Sequence, residues 1–168
     1  VLHGLDGTYA HAMGPALPTV VALRGLRVVP HPQGLLLDYG AAIAALSKAA
    51  RSSPSLAVEV VEETGSTNAD LLARASTLPG PLLLVARNQT AGRGRAGRSW
   101  LSSSEGSLTF SLAWKFDGGL PRLTGLPLAV GVALAETLER LGVQVGLKWP
   151  NDVLRDGDKL AGILIETQ

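Results

Sequence analysis

Cysteine is absent from the 168-residue chain, and this absence excludes a disulfide framework, a thiolate metal site and a cysteine nucleophile. Histidine is scarce, and His3, His11 and His31 are spread through the N-terminal part without metal-ligand spacing. We interpret them as solvated or structural histidines. The sequence therefore leaves the ligands of any metal unknown.

Aromatic residues are also few, at 4% of the chain against 46% for hydrophobic residues. The core must therefore be aliphatic, built mainly from Leu, Val and Ala. The length suits one domain, or one domain with a small appendage.

Net charge is close to zero, because 15 Lys or Arg residues stand against 14 Asp or Glu residues, which gives +1. Such a balance argues against a general nucleic-acid or membrane binder. No uncharged apolar stretch reaches membrane-spanning length, and the first residues lack the basic-then-apolar pattern of a signal peptide. We therefore expect a cytoplasmic protein that binds neither nucleic acid nor membrane.

Positive charge is instead concentrated in one segment, QTAGRGRAGRSW at residues 89–100. Gly92, Gly94 and Gly97 have the G-x-G-x-x-G spacing of a dinucleotide-binding turn. That turn requires a following helix, whereas the next residues lead into a predicted strand, and the Gly-Lys-Ser or Gly-Lys-Thr of a Walker loop is absent. We interpret residues 92–98, the glycine–arginine loop, as a flexible cover that wraps a phosphate; the alternative is a solvated loop.

Hydrophobic periodicity predicts strands and separated helices along most of the chain. The predicted strands are residues 56–62, 82–87, 107–116, 143–149 and a hairpin of 153–155 with 159–167 around Asp156-Gly157. The predicted helices are residues 40–50, 67–76 and 124–141, preceded by a small hairpin of residues 26–29 and 35–37. Antiparallel hairpins with separated helices favour an α+β fold over alternating βαβ units.

Three further stretches combine polar and apolar residues in a distinctive way: ETGSTN at residues 63–68, KWPND at 148–152 and KLAGILIE at 159–166. Taken alone, each has a plain structural interpretation. The first suits helix capping, the second a loop, and the third a strand whose terminal lysine is solvated.

In their order and wording, these stretches and the glycine–arginine loop resemble the catalytic domain of biotin protein ligases, from about Leu56 to Gln168. The resemblance implies an α+β fold of the class II aminoacyl-tRNA synthetase type, with a mixed, mostly antiparallel central sheet and helices on one side. Residues 1–38 are then a degenerate segment, interpreted as a winged-helix remnant. Residues 39–168 are the catalytic domain, expected to be incomplete at its C-terminus.

The implied reaction has two steps: biotin and ATP give biotinyl-5′-AMP, which then acylates a lysine of the biotin carboxyl carrier protein of acetyl-CoA carboxylase or a similar acceptor. The first step brings two anions together, and a lysine between them reverses the repulsion. The resemblance assigns this bridge to Lys159, and polyphosphate binding with Mg²⁺ to Lys148 and the loop arginines. Asp152 is expected to ease deprotonation of the acceptor lysine, with a plain turn carboxylate as the alternative.

The resemblance further implies three overlapping sets of site residues. The catalytic set is Lys159, Arg95, Lys148 and Asp152. The biotin-binding set is Ser66, Thr67, Asn68, Gln89, Arg93, Gly94, Arg95, Lys159 and Gly162. The ATP-binding set is Arg93, Arg95, Arg98, Trp100, Lys148, Asn151 and Lys159. Trp100 either stacks on adenine or belongs to the core, and Gly162 is expected where a side chain would obstruct the ligand.

Other classes of function remain open from the sequence. Lipoate ligases share the implied fold and chemistry, although the loop and KWPND favour biotin. A biotin-sensing transcriptional regulator needs a basic DNA-binding face, and residues 1–38 hold only Arg24 and Arg27 as Lys or Arg. A non-catalytic fragment is the third alternative. Exposed strand edges also lead us to expect a homodimer.

Overall fold

The computed structural model describes residues 28–31, 34–37, 44, 48, 55–102, 106–116 and 120–168. The strands in these ranges are β1 (Val28–His31), β2 (Gly34–Leu37), β3 (Ala57–Thr64), β4 (Leu82–Gln89), β5 (Thr109–Ala113), β6 (Gly146–Lys148), β7 (Asp152–Arg155) and β8 (Asp158–Gly162). The helices are α1 (Thr67–Arg74) and α2 (Leu126–Arg140), with short 3-10 turns at Ala75–Thr77, Arg95–Gly97 and Leu120–Leu123. None of the helices in these ranges is long and apolar enough to cross a membrane.

The two N-terminal strands, β1 and β2, pair antiparallel and form the small hairpin that the sequence predicts. Residues 1–27 lie outside the described residues. Of the predicted helix at residues 40–50, only Ala44 and Lys48 are described, and both are helical. The winged-helix interpretation and the domain boundary after residue 38 therefore stay predictions.

The first sheet has the order β3–β4–β5 and combines both kinds of pairing. β3 and β4 run parallel, with Ala57 opposite Leu82, and α1 connects them. β4 and β5 run antiparallel, with Leu82 opposite Ala113. The parallel unit departs locally from the predicted preference for antiparallel hairpins. The continuous apolar run that opens β4 indicates a strand covered on both faces, but it does not set the direction of the neighbouring strand.

The core lies on both faces of β4, whose first five residues are all buried. On one face, Leu83 and Val85 cluster with Leu56. On the other face, Leu84 clusters with Leu71 of α1. The buried hydrophobic residues are aliphatic, as the composition predicts, and this two-sided packing fixes the start of α1 beside the end of β4.

An exposed ion pair also ties α1 to β3. Arg74 donates two hydrogen bonds to the Glu59 carboxylate, with N···O distances of 3.1 and 2.8 Å. The hydrogen bond from Arg74 lowers the pKa of Glu59 below its usual value of 4.5. A lowered carboxyl pKa adds stability at neutral pH, and this stability is lost as the pH falls from 4.5 through the lowered value. Because both side chains are well exposed, the contribution is small.

The second sheet is antiparallel throughout, with the order β6–β7–β8. Asp156 and Gly157 form the turn between β7 and β8, with φ angles of 52° and 92°. These left-handed angles are those of the two-residue hairpin turn that the dipeptide predicts. α2 packs closely on this sheet, since a Cβ at Gly131 would lie 3.5 Å from the side chains of Leu147 and Ile163.

Two strands of this region are shorter than predicted. The predicted strand at 143–149 is reduced to β6, and the predicted strand at 159–167 ends at Gly162. Just after Gly162, the N–H of Ile163 donates to the Asn151 carbonyl at 2.9 Å, and the Ile163 carbonyl accepts from Asn151 Nδ2 at 3.0 Å. These bonds hold Ile163 against the turn that precedes β7.

Candidate ligand pocket

A cavity of about 110 Å³ lies where the first sheet, the glycine–arginine loop and the second sheet meet, and we call it the central pocket. The predicted site residues that line it are Ser66, Thr67, Asn68, Gln89, Arg93, Gly94, Arg95, Trp100, Asn151, Lys159 and Gly162. The other lining residues are Thr109, Phe110, Ser111, Ile163 and Leu164. The fold therefore brings together residues from motifs that are far apart in the sequence.

The polar floor of the central pocket consists of Thr67, Asn68, Gln89 and Ser111. Gln89 Oε1 accepts hydrogen bonds from the backbone N–H and the hydroxyl of Thr67, at 2.8 and 3.0 Å. Thr67 Oγ1 lies 2.7 Å from Ser111 Oγ, and the Ser111 hydroxyl donates to Asn68 Oδ1. Since Thr67 is only 2% exposed, this network is held by the fold and orients amide and hydroxyl groups beside the cavity.

α1 begins at the pocket because Ser66 caps it. Ser66 Oγ accepts a hydrogen bond from the backbone N–H of Ala69 at 3.4 Å, and Asp70 places a negative charge in the first turn. The capping interpretation of ETGSTN is therefore confirmed. The same cap places Thr67 and Asn68 in the polar floor, so capping and a site role do not exclude each other.

The glycine–arginine loop folds as a tight hairpin beside the polar floor. The backbone N–H of Trp100 donates to the Gly92 carbonyl at 2.8 Å, and that of Gly94 donates to the Arg98 carbonyl at 2.6 Å. At the tip, Gly97 has a φ of 73°, in the left-handed region that favours glycine. The next regular element in the described part is the strand β5, which agrees with the prediction that this is not a dinucleotide-binding turn.

Gly92 is a position where this hairpin tolerates no side chain. A Cβ there would lie 2.5 Å from the Trp100 carbonyl oxygen and 2.9 Å from Gln89 Nε2. We expect Gly92→Ala to displace the loop, because overpacking costs about 1–3 kcal/mol. Trypsin should then cleave after Arg95 several-fold faster than in the wild type. Gly80→Ala is the matched control, since its Cβ would meet nothing closer than 3.8 Å, and equal rates in the two variants would contradict the expectation.

Three cationic side chains line the central pocket, and their partners differ. Lys159 Nζ lies 2.7 Å from Asp152 Oδ1. Arg93 Nη2 lies 3.1 Å from Glu166 Oε2. Arg95 forms no ion pair within the described residues. Of these three cations, Arg95 can therefore bind an anionic ligand without first breaking an ion pair with a carboxylate of the protein.

Trp100 and Gly162 form the wall beside Lys159. The Lys159 ammonium lies 5.3 Å from the centre of the Trp100 ring, within the range of a cation–π contact. A Cβ at Gly162 would lie 3.0 Å from Lys159 Nζ and 3.0 Å from Trp100 Cζ3. Trp100 is only partly buried, so it belongs to the pocket wall and not to the buried core.

Arg98, Lys148 and Asp152 are predicted site residues that do not line the central pocket. Asp152 reaches it through the ion pair with Lys159. Lys148 lies opposite Asp152 in the pairing of β6 with β7 and borders a separate, smaller hollow that includes Leu147. Arg98 is exposed at the end of the loop turn. The predicted nucleotide contacts of Arg98 and Lys148 stay predictions.

Ser111 and Glu166 are not among the predicted site residues, although Glu166 closes the stretch KLAGILIE, and the structure brings both to the site. Ser111 lies two residues from Thr109 in β5, and hydroxyl side chains on the same face of an otherwise apolar strand were the available signal. The Glu166 carboxylate accepts hydrogen bonds from Asn68 at 3.0 Å and from Arg93 at 3.1 Å. No local pattern marks Glu166, because these partners lie 98 and 73 residues away along the chain.

The chemical character of the pocket follows from these groups. Cations and the polar floor lie beside an apolar wall formed by Trp100 and Leu164; the side chain of Phe110 packs in the cluster of Leu83 and Val85, and that of Ile163 is directed at Gly131. No group of three or more His, Cys, Asp or Glu side chains among the described residues could hold a metal ion. The fold and the site thus define an α+β domain whose pocket suits a small anionic molecule with an apolar body and a polar end.

The model of the Biotin/lipoate A/B protein ligase family matches residues 58–168. The chain belongs to this family, and the resemblance on which the sequence interpretation rests is confirmed. It is 44% identical over 117 residues to the biotin--[acetyl-CoA-carboxylase] ligase of Mycobacterium tuberculosis, covering 65% of this chain and 44% of the relative. It is 42% identical over 110 residues to the bifunctional ligase/repressor BirA of Escherichia coli, covering 65% of this chain and 34% of the relative. The chain thus spans less than half the length of these two relatives.

Solved structures agree with this assignment. The biotin acetyl coenzyme A carboxylase synthetase of Helicobacter pylori with bound biotinylated ATP has a TM-score of 0.56 at 33% identity, covering 67% of this chain and 56% of its own. The biotin protein ligase of Aquifex aeolicus in complex with biotin and ATP has a TM-score of 0.56 at 37% identity, and the match covers 66% of this chain and 47% of the Aquifex chain. These neighbours confirm the predicted α+β fold with its mixed sheet.

Proposed function

We propose that this chain carries biotin protein ligase activity: it activates biotin with ATP and transfers it to a lysine of a carrier protein, such as the biotin carboxyl carrier protein of acetyl-CoA carboxylase. The observation that carries the proposal is the convergence of Lys159, Arg93 and Arg95 beside the polar floor. The names of the relatives and the neighbours solved with biotin and ATP support this pair of substrates.

In the first step, a carboxylate oxygen of biotin attacks the α-phosphorus of ATP, the bond from that phosphorus to the bridging oxygen breaks, and pyrophosphate leaves. Both reactants are anions, and two unit charges about 4 Å apart repel by roughly 4 kcal/mol at an effective dielectric of about 20. We assign the bridging cation to Lys159, whose compact ammonium can contact both anions when they replace Asp152 as its partners. Arg95 supplies a second positive charge at the same pocket.

We place the ureido ring of biotin at the polar floor. A ureido group both donates and accepts hydrogen bonds, and the amide and hydroxyl side chains of Thr67, Asn68 and Gln89 offer both functions. The alkyl chain then runs along the apolar wall and past Gly162, where any side chain would reduce the cavity. Ser66 and the backbone of Arg93 to Arg95 complete the proposed biotin contacts.

We place the nucleotide on the side of the pocket formed by Trp100, Arg95 and Asn151. Arg98 and Lys148 are proposed contacts of the polyphosphate and require the chain or the ligand to bring them nearer. Mg²⁺ neutralises phosphate charge when it is bound to ATP. The described residues contain no group of three or more His, Cys, Asp or Glu side chains that could hold a metal ion. We therefore propose that Mg²⁺ would enter the site bound to the phosphates of ATP, without a set of protein ligands of its own.

In the second step, the amine of the acceptor lysine attacks the carbonyl carbon of biotinyl-5′-AMP, the bond from that carbon to the phosphate oxygen breaks, and AMP leaves. The amine loses a proton in this step. We propose that Asp152 accepts it, because its carboxylate lies beside Lys159, the residue assigned to the reacting carboxyl and phosphate.

The test uses the 168-residue chain with biotin, ATP and Mg²⁺, followed by mass spectrometry of the adenylate and by incorporation of labelled biotin into a carrier domain. Lipoic acid is the matched control, because the family includes ligases of both acids. Biotinyl-5′-AMP without lipoyl-5′-AMP supports the proposal, and the reverse result reassigns the substrate to lipoate. Neither product, together with no heat of biotin binding in calorimetry, overturns it.

The transcriptional-regulator alternative receives no support from the family match, which begins at residue 58. We expect no gel shift with operator-like DNA. The cytoplasmic location, the homodimer and the division of the chain at residue 38 stay predictions.

A further inference from the structure

Glu166 is a carboxylate that takes no part in the proposed chemistry and yet joins three segments around the central pocket. Its Oε2 accepts hydrogen bonds from Asn68 Nδ2 at 3.0 Å and from Arg93 Nη2 at 3.1 Å. Asn68 belongs to α1, Arg93 to the glycine–arginine loop, and Glu166 to the segment after β8. We propose that Glu166 is a positioning residue that keeps the loop closed over the pocket and slows the escape of the bound ligand. Only the identity of that ligand rests on the proposed function.

The Asn68 side chain connects this contact to the polar floor. Its Oδ1 accepts a hydrogen bond from the hydroxyl of Ser111, and its Nδ2 donates a hydrogen bond to Glu166. An amide that is bonded at both ends loses both bonds if it turns over. The carboxylate of Glu166 therefore meets a donor whose direction is already set by the floor, and the loop is anchored to the part of the site that the fold holds most firmly.

The two pocket arginines consequently have different tasks. The Arg93 guanidinium is engaged by Glu166, whereas Arg95 has no ion-pair partner within the described residues. The side chain of Arg93 holds the loop, and its backbone pairs with Ser99 across the hairpin. Arg95 is left to meet the anionic groups of the ligand. Loss of Glu166 should therefore change loop closure without removing the cation that the ligand needs.

The size of the effect follows from exposure. The side chains of Arg93 and Glu166 are 45% and 28% exposed, so their ion pair is weakened by solvent. The hydrogen bond from Asn68 to the same oxygen of Glu166 contributes further to holding the loop closed. We expect loss of Glu166 to raise the frequency of loop opening several-fold, up to about tenfold, while the fold is retained.

Amide hydrogen exchange of the ligand-free chain measures this opening. The reporters are the N–H groups of Gly94 and Trp100, which donate to carbonyls across the loop hairpin. In Glu166→Ala we expect their exchange to accelerate several-fold, and in Glu166→Gln by less, because the amide oxygen can still accept from Asn68. Glu63→Ala is the matched control.

The control removes a bond of the same kind away from the pocket, since Glu63 accepts from Asn88 Nδ2 at 2.9 Å. Exchange in Glu166→Ala that equals exchange in Glu63→Ala overturns the inference. Arg93→Met should give an acceleration similar to Glu166→Ala, and the double variant should show no further increase. Additive effects of the two changes would show that the residues act separately and would also overturn it.

A second measurement separates this inference from the proposed function. For Glu166→Ala we expect the dissociation rate of biotinyl-5′-AMP to rise by the same factor as loop opening, with a smaller change in the association rate. If the loop opens faster but no variant, including the wild type, forms or binds the adenylate, the proposed function fails and the positioning role stands. If the adenylate forms and both rates match the wild type, the positioning role fails and the function stands.

Discussion

Lys159→Met is expected to lower kcat/KM for the formation of biotinyl-5′-AMP by roughly 10²- to 10³-fold, the usual loss when one preorganised group that stabilises transition-state charge is removed. The ammonium of Lys159 is the cation that the structure places at the pocket wall beside Trp100 and within 2.7 Å of Asp152. Without it, the bridging cation is missing, and Arg95 alone remains to offset the repulsion between the carboxylate and the α-phosphate. Release of pyrophosphate, followed with a coupled assay, measures the effect.

Two lysine variants control this experiment. Lys115→Met removes an exposed lysine that does not line the central pocket and should leave the rate unchanged. Lys148→Met tests the predicted polyphosphate contact, and because Lys148 lies outside the pocket lining we expect a smaller loss than for Lys159. Comparison of melting temperatures excludes unfolding as the cause. A Lys159→Met rate within about threefold of the wild type, less than 1 kcal/mol of transition-state stabilisation, would remove the basis of the proposed first step.

Gly162→Val is expected to weaken biotin binding by roughly 10- to 100-fold, because overpacking a site costs about 1–3 kcal/mol. The added Cβ alone would lie 3.0 Å from Lys159 Nζ and from a carbon of the Trp100 ring, and the two methyl groups of Val extend farther. In a cavity of about 110 Å³, these atoms occupy space assigned to the ligand. Isothermal titration calorimetry with biotin measures the change.

Gly146→Val is the matched control for this substitution. Gly146 also lies in the second sheet, and a Cβ there would meet nothing within 4 Å. This variant should bind biotin as the wild type does. Unchanged affinity in Gly162→Val would show that the bound ligand does not lie against Gly162. The placement of biotin in the central pocket would then have to be abandoned.

The two variants also separate chemistry from binding. Lys159→Met should leave much of the biotin affinity, since the polar floor and the apolar wall are intact, and should chiefly lower kcat. Gly162→Val should chiefly raise the KM for biotin, the concentration that gives half of the maximal rate. A pattern in which both variants lose affinity equally would indicate that Lys159 acts in binding the ground state and not in the reaction.

Much of the local structure follows from neighbouring residues. Ser66 caps α1 because its hydroxyl reaches an N–H only three residues away, and Asp156-Gly157 turns the chain because both residues adopt positive φ. The apolar run of β4 identifies a buried strand without reference to its neighbours. Eleven of the residues that the resemblance predicts for the site line one pocket, and the fold is what brings their motifs together.

Other features depend on contacts between distant segments, and only the tertiary structure decides them. The parallel pairing of β3 with β4 is an example, since local propensity does not choose the partner or direction of a strand. The bonds between Ile163 and Asn151, which lies in the turn before β7, are another example, since these residues are 12 positions apart. The positions of Arg98 and Lys148 outside the pocket follow from the geometry of the loop and of β6, which residue type does not reveal.

By itself, therefore, the sequence determined the caps, the turns, the aliphatic core and the family, because each depends on residue type or on the spacing of residues within a motif. The tertiary structure alone decided which cations have anionic partners and that Ser111 and Glu166 belong to the site. Glu166 shows the reason: its partners are 98 and 73 residues away, and a contact of that range exists only once the strands have paired and brought α1, the loop and the final segment together.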